Sequence, residues 1–305
     1  MARVNENKKI NSLALLGTHN SLSTKTNTSV IIAQTQSMSL EEQLESGIRV
    51  LDLRTRHINN EFHMYHGVID LHIKFDEVLT TVNNFLAQNP SEFVLMYIQK
   101  ENTPKNNTLS YQEIFMRYMK THGKKVWESG VPIIPILKDV RGKIVITHSS
   151  ESGGSHTQIS YKKEYDYSAK GLSGNWDLYD KWMKTKEHIN NLAKYTNLKD
   201  YFYYTSLNDY MGGVQIVLPY FVASGKSSAG TSAPYLATGF LDNSARDKYP
   251  DFPRSNNRIL FVGINLLTYE YLKATHNRSK PNFLGVIYAD FPGPGLIEVV
   301  IKRNY

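Results

Sequence analysis

Short, mainly apolar runs alternate with helical periods through the first half of the chain. Leu13–Leu16, Ile48–Leu53, Phe93–Ile98 and Ile144–Thr147 have the length and character of buried strands. Ser39-Leu40-Glu41-Glu42 is a capping box, and the helix it opens stops at Gly47. Val78, Leu79, Val82, Phe85 and Leu86 fall on one helical face, and Asn89-Pro90 ends that helix. Ser110-Tyr111-Gln112-Glu113 caps another helix, with Ile114, Phe115, Tyr118 and Met119 facing inward. Beyond Thr147 the pattern loosens. Ser149–Asp177 is long, polar and carries Gly153-Gly154. Lys184–Tyr195 reads as a helix; Tyr201–Thr205, Ile259–Val262 and Phe283–Ala289 read as further strands.

Strands alternating with helices predict a mainly parallel sheet covered by helices. No break in composition, repeat or low-complexity tract divides the chain. Its 305 residues suit one β/α barrel of about eight strands. The expectation is one domain over residues 1–305, an α/β fold of the distorted (β/α)8 TIM-barrel type. The less regular second half leaves its closure open.

Composition narrows the function classes. Hydrophobic residues make up 41% of the chain, enough for a sizeable core, which excludes global disorder. The longest apolar runs, such as Gly213–Val222, fall far short of a bilayer span. The first ten residues are polar and basic, and no signal-peptide core follows them. That predicts a cytosolic protein or one whose signal has been removed. The chain has no cysteine, which excludes disulfides, thiolate metal sites and cysteine nucleophiles. The net charge of +7 suits an anionic partner, or solubility alone, since the basic residues are dispersed. Twenty tyrosines, clustered at Tyr161, Tyr165, Tyr167 and at Tyr201, Tyr203, Tyr204, suit membrane interfaces or sugar stacking. Such residues more often pack at the edge of a core.

The candidate chemistry lies at strand ends. Gly17-Thr18-His19-Asn20 closes the first apolar run, Asp52-Leu53-Arg54 closes the second, and Tyr65-His66-Gly67 follows. His19, Arg54, Lys100, His148 and Asp290 all fall at or just past the end of a predicted strand, and in a parallel barrel those ends share one mouth. Two imidazoles and a guanidinium are what metal-free cleavage of a phosphodiester needs: one base, one acid and one anchor for phosphoryl charge. Each residue alone has a plainer reading. A lone histidine after a strand is more often structural, and His66 competes with His57, His63 and His72. Asp290 serves equally well as an orienting carboxylate or as a cap before Pro292. Asp52 and Arg54, two apart on a strand, share a face. A buried arginine there needs a carboxylate or a bound anion.

Taken in order, these pieces resemble the bacterial phosphatidylinositol-specific phospholipases C. The resemblance is densest from Leu13 to Glu101. It rests on Gly17-Thr18-His19, Gln43-x3-Gly47-x-Arg49-x2-Asp52-x-Arg54, His66-Gly67, Asn89-Pro90-Ser91-Glu92 and Lys100-Glu101. Arg141-Gly142-Lys143-Ile144-Val145, Thr205-Ser206-Leu207 and the Asp290 segment continue it. The resemblance implies a distorted barrel and a two-step reaction. His19 would deprotonate the inositol 2-hydroxyl and His66 would protonate the departing diacylglycerol oxygen. Asp290 would pair with His19, Arg54 would bind the nonbridging oxygen, and Asp52 would support that cluster. The product would be inositol 1,2-cyclic phosphate, slowly hydrolysed in the same site. In the inositol pocket, Lys100 matches the family's lysine, and Asp180 and Trp182 match its aspartate and aromatic platform. The family's pocket arginine is missing; His148 or Ser149 occupies that stretch.

Asn20, counted with the substrate-binding residues, departs from the family. The metal-free bacterial enzymes usually carry aspartate there, and the calcium-dependent relatives carry asparagine. Calcium needs several oxygen ligands and a net negative shell, which Arg54 opposes, so no metal or other cofactor is expected. The implied partner is phosphatidylinositol at a membrane surface, with glycosylphosphatidylinositol anchors a further substrate class. No nucleic acid is expected. A secreted monomer fits a lipid on the outer face of cells. Gly213–Val222 and Ala233–Phe240 are the segments considered for membrane contact. Two other readings stay open: a metal-dependent glycerophosphodiester phosphodiesterase on a similar barrel, and a non-catalytic inositol-lipid binder.

Overall fold

Six parallel strands form the wall of the fold, and one of them carries an antiparallel hairpin. The strands are β1 (Leu15–Thr18), β2 (Val50–Ile58), β3 (Glu61–His66), β4 (Ile69–Lys74), β5 (Val94–Lys100), β6 (Ile144–His148), β7 (Tyr204–Ser206) and β8 (Val286–Ala289). The parallel path runs β6-β5-β2-β1-β8-β7. The computed structural model describes residues 1–24, 27–128, 134–148, 177–195, 197–198, 201–209, 218–224, 262–275 and 283–305. Among these, β6 and β7 end the path without pairing to each other, so the barrel is distorted and open. The predicted strand Ile259–Val262 lies almost wholly outside the described residues, as do 149–176, half of Gly213–Val222 and all of Ala233–Phe240.

Helices α1 (Leu40–Ser46), α2 (Phe75–Gln88), α3 (Tyr111–His122), α4 (Leu137–Val140), α5 (Asp177–Leu192), α6 (Pro219–Ser224), α7 (Ile264–Thr275) and α8 (Pro294–Ile301) complete the fold. Ser39 and Ser110 cap α1 and α3 as predicted: each hydroxyl accepts the N3 amide, and the N3 glutamate reaches back. Gly47 ends α1 at φ 108°, and an added Cβ there would meet Ile301 Cδ1 at 2.6 Å. On α2, Val78, Leu79, Val82 and Leu86 are buried; each stabilises the fold by about 1.5–3 kcal/mol. Phe85 is only half-buried, under the Arg49 guanidinium at 4.8 Å. The described end of Gly213–Val222 belongs to α6, where Phe221 and Val222 are buried.

Strand alternation sorts the side chains into two layers. Leu16, Leu51, Leu53, Met96, Ile98, Ile146 and Ile287 face outward into the main core shared with the helices. Leu15, Val50, Leu95, Val145, Tyr204, Val286 and Tyr288 face inward, where Val4, Ile10 and Leu13 join them. The inward series continues up each strand into polar residues: Gly17 then His19, Asp52 then Arg54, Tyr97 then Gln99 and Glu101, Thr147, and Asp290. The barrel interior is therefore apolar at the strand starts and ionisable at the strand ends.

Candidate active site

β2 explains how two distant histidines meet. Its first residues pair with β1, through Gly17↔Val50 and Thr18↔Leu51. β1 then stops, while β2 continues to Ile58. The hairpin strand β3 takes over on the side away from β5 and runs back antiparallel, from Ile58↔Glu61 to Thr55↔Met64. Its last residue, His66, returns to the level at which β1 ended. The ring centroids of His19 and His66 are 5.8 Å apart, edge to face at 86°. Gly17 allows the close approach below them: a Cβ would lie 2.8 Å from Val50 Cβ and 3.0 Å from the Tyr288 ring.

The two rings have different second partners. His19 Nδ1 is 2.8 Å from Asp290 Oδ1, a carboxylate that is 1% exposed. The carboxylate accepts a hydrogen bond from Nδ1–H, so neutral His19 turns an unprotonated Nε2 elsewhere. Gln36 fixes this corner by donating to the His19 carbonyl at 2.8 Å and to the Ala289 carbonyl at 3.2 Å. His66 Nδ1 lies 2.7 Å from the Ala33 carbonyl, which only accepts, so this nitrogen carries hydrogen as well. Ser23, whose hydroxyl also donates to the Ala33 carbonyl, is 3.3 Å from the same nitrogen. Burial pushes His66 down to about 4, and positive charge on His19 and Arg54 adds to the effect.

Arg54 lies between two carboxylates. Its Nε and Nη2 donate to Asp52 Oδ2 at 3.3 and 3.2 Å, and its Nη1 donates to Glu101 Oε1 at 3.1 Å. Burial works against its charge, but Asp52 and Glu101 outweigh it and hold Arg54 above the ordinary arginine range. Asp52 is buried too, yet Arg54, His19 and the Asn20 amide, which donates to Oδ2 at 3.0 Å, hold it below the usual carboxylate range. Burial lifts Glu101 above that range despite Arg54. Burial likewise lifts Asp290, against the opposing charges of His19, Lys181 and Arg54.

His19, His66, Arg54, Asp52 and Asp290 thus form one cluster. The four residues expected to bind substrate differ in burial and orientation. Asn20 is 1% exposed at φ 39°, a conformation asparagine tolerates, and its Nδ2 donates to the Tyr65 carbonyl at 3.4 Å. It ties β1 to β3 behind the site. Lys100 pairs in register with Thr55, whereas Gln99 pairs with Arg54. Lys100 therefore faces outward, with its Nζ 5.8 Å from the Tyr111 ring centroid, and Gln99 shares the face of Arg54. Trp182 is buried in the outer core against Tyr271, and Asp180 is exposed on α5. His148 ends β6. The sequence reading missed Gln99, Gln36 and the carbonyl of Ala33, and took Glu101 only as part of a motif. The alternation from Arg54 signals Gln99 once the β2–β5 register is known.

Other motif residues are scaffolding. Thr18 Oγ1 donates to Gln43 Oε1 at 2.7 Å, and Arg49 Nε donates to Glu92 Oε2 at 2.9 Å. Among the described residues, no helix is long and apolar enough to cross a membrane.

Several known proteins are similar to this chain. The family model described as "Phosphatidylinositol-specific phospholipase C, X domain" matches residues 14–150. The chain is 35% identical over 156 residues to a 1-phosphatidylinositol phosphodiesterase of Listeria monocytogenes, covering 48% of this chain and 47% of that protein. It thus spans about half the length of that relative. It is 25% identical over 235 residues to the 1-phosphatidylinositol phosphodiesterase of Staphylococcus aureus strain Newman, covering 70% of this chain and 75% of that one. The structure of the Listeria phosphatidylinositol-specific phospholipase C matches with a TM-score of 0.70 at 20% identity, covering 100% of this chain and 97% of that one. A Staphylococcus aureus phosphatidylinositol-specific phospholipase C studied for its membrane binding matches with a TM-score of 0.68 at 18% identity, covering 100% and 96%. The fold is theirs, and residues 14–150 match the phosphatidylinositol-specific phospholipase C X domain.

Proposed function

We propose that the protein is a metal-independent phosphatidylinositol-specific phospholipase C that works by general acid–base catalysis. Its substrates are phosphatidylinositol in a membrane surface and, as a further class, glycosylphosphatidylinositol anchors. His19 Nε2 takes the proton of the inositol 2-hydroxyl as that oxygen bonds to phosphorus. The bond from phosphorus to the glycerol oxygen breaks, and the His66 imidazolium protonates the departing diacylglycerol. The products are diacylglycerol and inositol 1,2-cyclic phosphate. In a second, slower turn the roles reverse: His66 takes a proton from water as the water oxygen bonds to phosphorus, the bond from phosphorus to the 2-oxygen breaks, and His19 protonates that oxygen to leave inositol 1-phosphate. Asp290 keeps His19 in its Nδ1–H form, Arg54 binds a nonbridging oxygen, and Asp52 holds Arg54. A hydroxyl held beside phosphorus is an intramolecular nucleophile, so positioning supplies much of the rate.

The observation that carries this reading is the pair of rings 5.8 Å apart, one against a carboxylate and the other against a carbonyl. Without substrate charge nearby, His66 is neutral at pH 7, because burial and positive charge on His19 and Arg54 oppose its proton. A phosphodiester supplies the missing negative charge, so the acid is charged when substrate is present. The guanidinium between Asp52 and Glu101 supports the absence of a metal requirement, because it fills with positive charge the position where carboxylates would gather a cation. A bilayer substrate implies a peripheral enzyme, and lipid on the outer face of cells implies secretion.

The test is phosphatidylinositol vesicles incubated with the protein in excess chelator and followed by phosphorus NMR. The expected result is the resonance of a five-membered cyclic phosphate. Turnover only after a divalent ion is restored would overturn the metal-free mechanism. Binding without turnover would overturn the enzyme reading.

A further inference from the structure

A buried lysine beside the His19–Asp290 pair has no part in the reaction as proposed. Lys181, on α5, is 4% exposed. Its Nζ donates to the Asn208 carbonyl at 2.7 Å and lies 3.5 Å from Asp209 Oδ2. Both partners follow the end of β7. β7 and β8 are parallel neighbours, with Ser206↔Tyr288 in register and Leu207 N donating to the Tyr288 carbonyl at 2.8 Å. Two residues further along each strand stand Asn208 and Asp290. The ammonium is thus anchored at the level of the Asp290 carboxylate.

Asp290 needs such a neighbour. It is buried, and its Oδ2 has no hydrogen-bond partner among the described residues. A buried carboxylate with one unmet oxygen takes a proton readily, and a protonated Asp290 no longer holds His19 in its Nδ1–H form. Among the described residues, the charged groups acting on Asp290 are His19 from the end of β1, Arg54 from β2 and Lys181 from α5. Asp52 stands behind Arg54, and Asp209 stands behind Lys181. Asn265 on α7 donates to the Asp290 and Phe291 carbonyls.

We infer that Lys181 is a positioning residue for the proposed base, its buried ammonium serving as a second countercharge to Asp290. This deepens the assignment of His19 as base and rests on it. Lys181 touches no reacting atom; it acts through Asp290. A lysine whose charge met only Asp209 would be a plain structural tie between α5 and β7.

The two roles separate in titration. In Lys181→Met, the Asp290 carboxyl carbon, followed by NMR in the ligand-free protein, should titrate about one pH unit higher than in the parent. The acid limb of kcat/KM on phosphatidylinositol should rise with it. Lys181→Arg should restore both. Asp209→Asn, which leaves the ammonium less compensated, should move the carboxyl titration down. An unchanged Asp290 titration in a folded Lys181→Met protein would overturn the inference, even if its melting temperature fell. Should Lys181→Met fail to fold, Asp209→Asn decides alone: a downward movement supports the inference, and none refutes it. A parent protein without phospholipase activity would sink the functional reading, while the carboxyl titration would still judge Lys181.

Discussion

The two walls of the barrel mouth hold the same kind of ring in opposite ways. On the β1–β8 wall, Asp290 accepts the Nδ1 proton of His19 at 2.8 Å. On the β3 wall, a backbone carbonyl does so for His66 at 2.7 Å. A carboxylate stabilises the imidazolium that forms when the ring takes up a proton; a carbonyl orients the ring and offers far less charge. His66 is further discouraged from holding its proton by burial, His19 and Arg54. A ring oriented by a carboxylate is suited to be the base, and a ring that holds its proton weakly is suited to give it away.

The largest expected effect breaks this pair apart. His19→Ala and His66→Ala should each lower kcat by about 10²–10⁴-fold with the fold intact. The leaving group distinguishes them. With an inositol phosphate ester of p-nitrophenol, which leaves without a proton, His66→Ala should recover much of its rate and His19→Ala should not. Equal recovery in both would erase the difference between the two walls. Recovery in His19→Ala alone would reverse their roles.

Arg54 stands between the walls and is the next to break. Removing one charge-stabilising donor costs about 10²–10³-fold in rate, and Arg54→Asp should lose at least that in chelator. The variant sets a third carboxylate beside Asp52 and Glu101. Asp52 Oδ1 and Glu101 Oε2 are buried without hydrogen-bond partners among the described residues, so oxygen ligands for calcium are at hand. Titration with calcium should restore part of the lost activity. A variant indifferent to calcium would show that the guanidinium does more than carry charge, for example by gripping two phosphoryl oxygens at once.

The two walls differ in how well the chain announces them. The β1 wall is local: Leu13–Leu16 leads straight to His19, and the Phe283–Ala289 run leads to Asp290. Strand-end logic finds both, although β1 itself lies two residues later than that run. The β3 wall is not local. The hairpin Glu61–Lys74 alternates too weakly to separate from loop, and nothing in the sequence says that β3 returns along β2. His66 is legible only through the resemblance. Its partner, the Ala33 carbonyl, is backbone and has no residue signature at all. Lys100 is hard to place for a related reason. It ends a strand as the rule requires, but the rule ignores which face a side chain takes, and one step along β5 reverses the face. Trp182 and Asp180 were matched on residue type; the first belongs to the core and the second to the solvent side of α5.

Acid stability sharpens the comparison without substrate. His66 falls from 6.5 to about 4 on folding, chiefly through burial, so the native state binds its proton less readily than the unfolded chain. The contribution of this neutral ring is present above about pH 6.5 and is lost as the pH drops toward 4. The whole loss is about 3 kcal/mol at most. His66→Gln should therefore lose less stability than the parent between pH 7 and pH 4 in urea unfolding. Parallel losses in both proteins would mean that the His66 site does not resist protonation, and with it would go the account of a weakly held proton.

The smallest expected effect concerns the floor between the walls, where β5 offers two neighbouring residues to opposite faces. Gln99 is in register with Arg54 and lies on the face of the cluster, while Lys100 is in register with Thr55 and lies over Tyr111. A neutral side chain that hydrogen-bonds a ring hydroxyl is worth about 0.5–1.5 kcal/mol, or roughly a two- to tenfold change in KM. Gln99→Ala should raise KM by that factor and leave kcat nearly unchanged, because such a contact is the same in ground and transition states. Lys100→Ala should leave KM within about twofold and cost about 0.5–1 kcal/mol of stability through the lost contact with Tyr111. Steady-state kinetics on phosphatidylinositol vesicles at fixed surface density separates the two. A larger KM effect from Lys100→Ala would mean that its ammonium reaches the head group from the outer face. Strand register would then be a poor guide to which side chains meet the substrate.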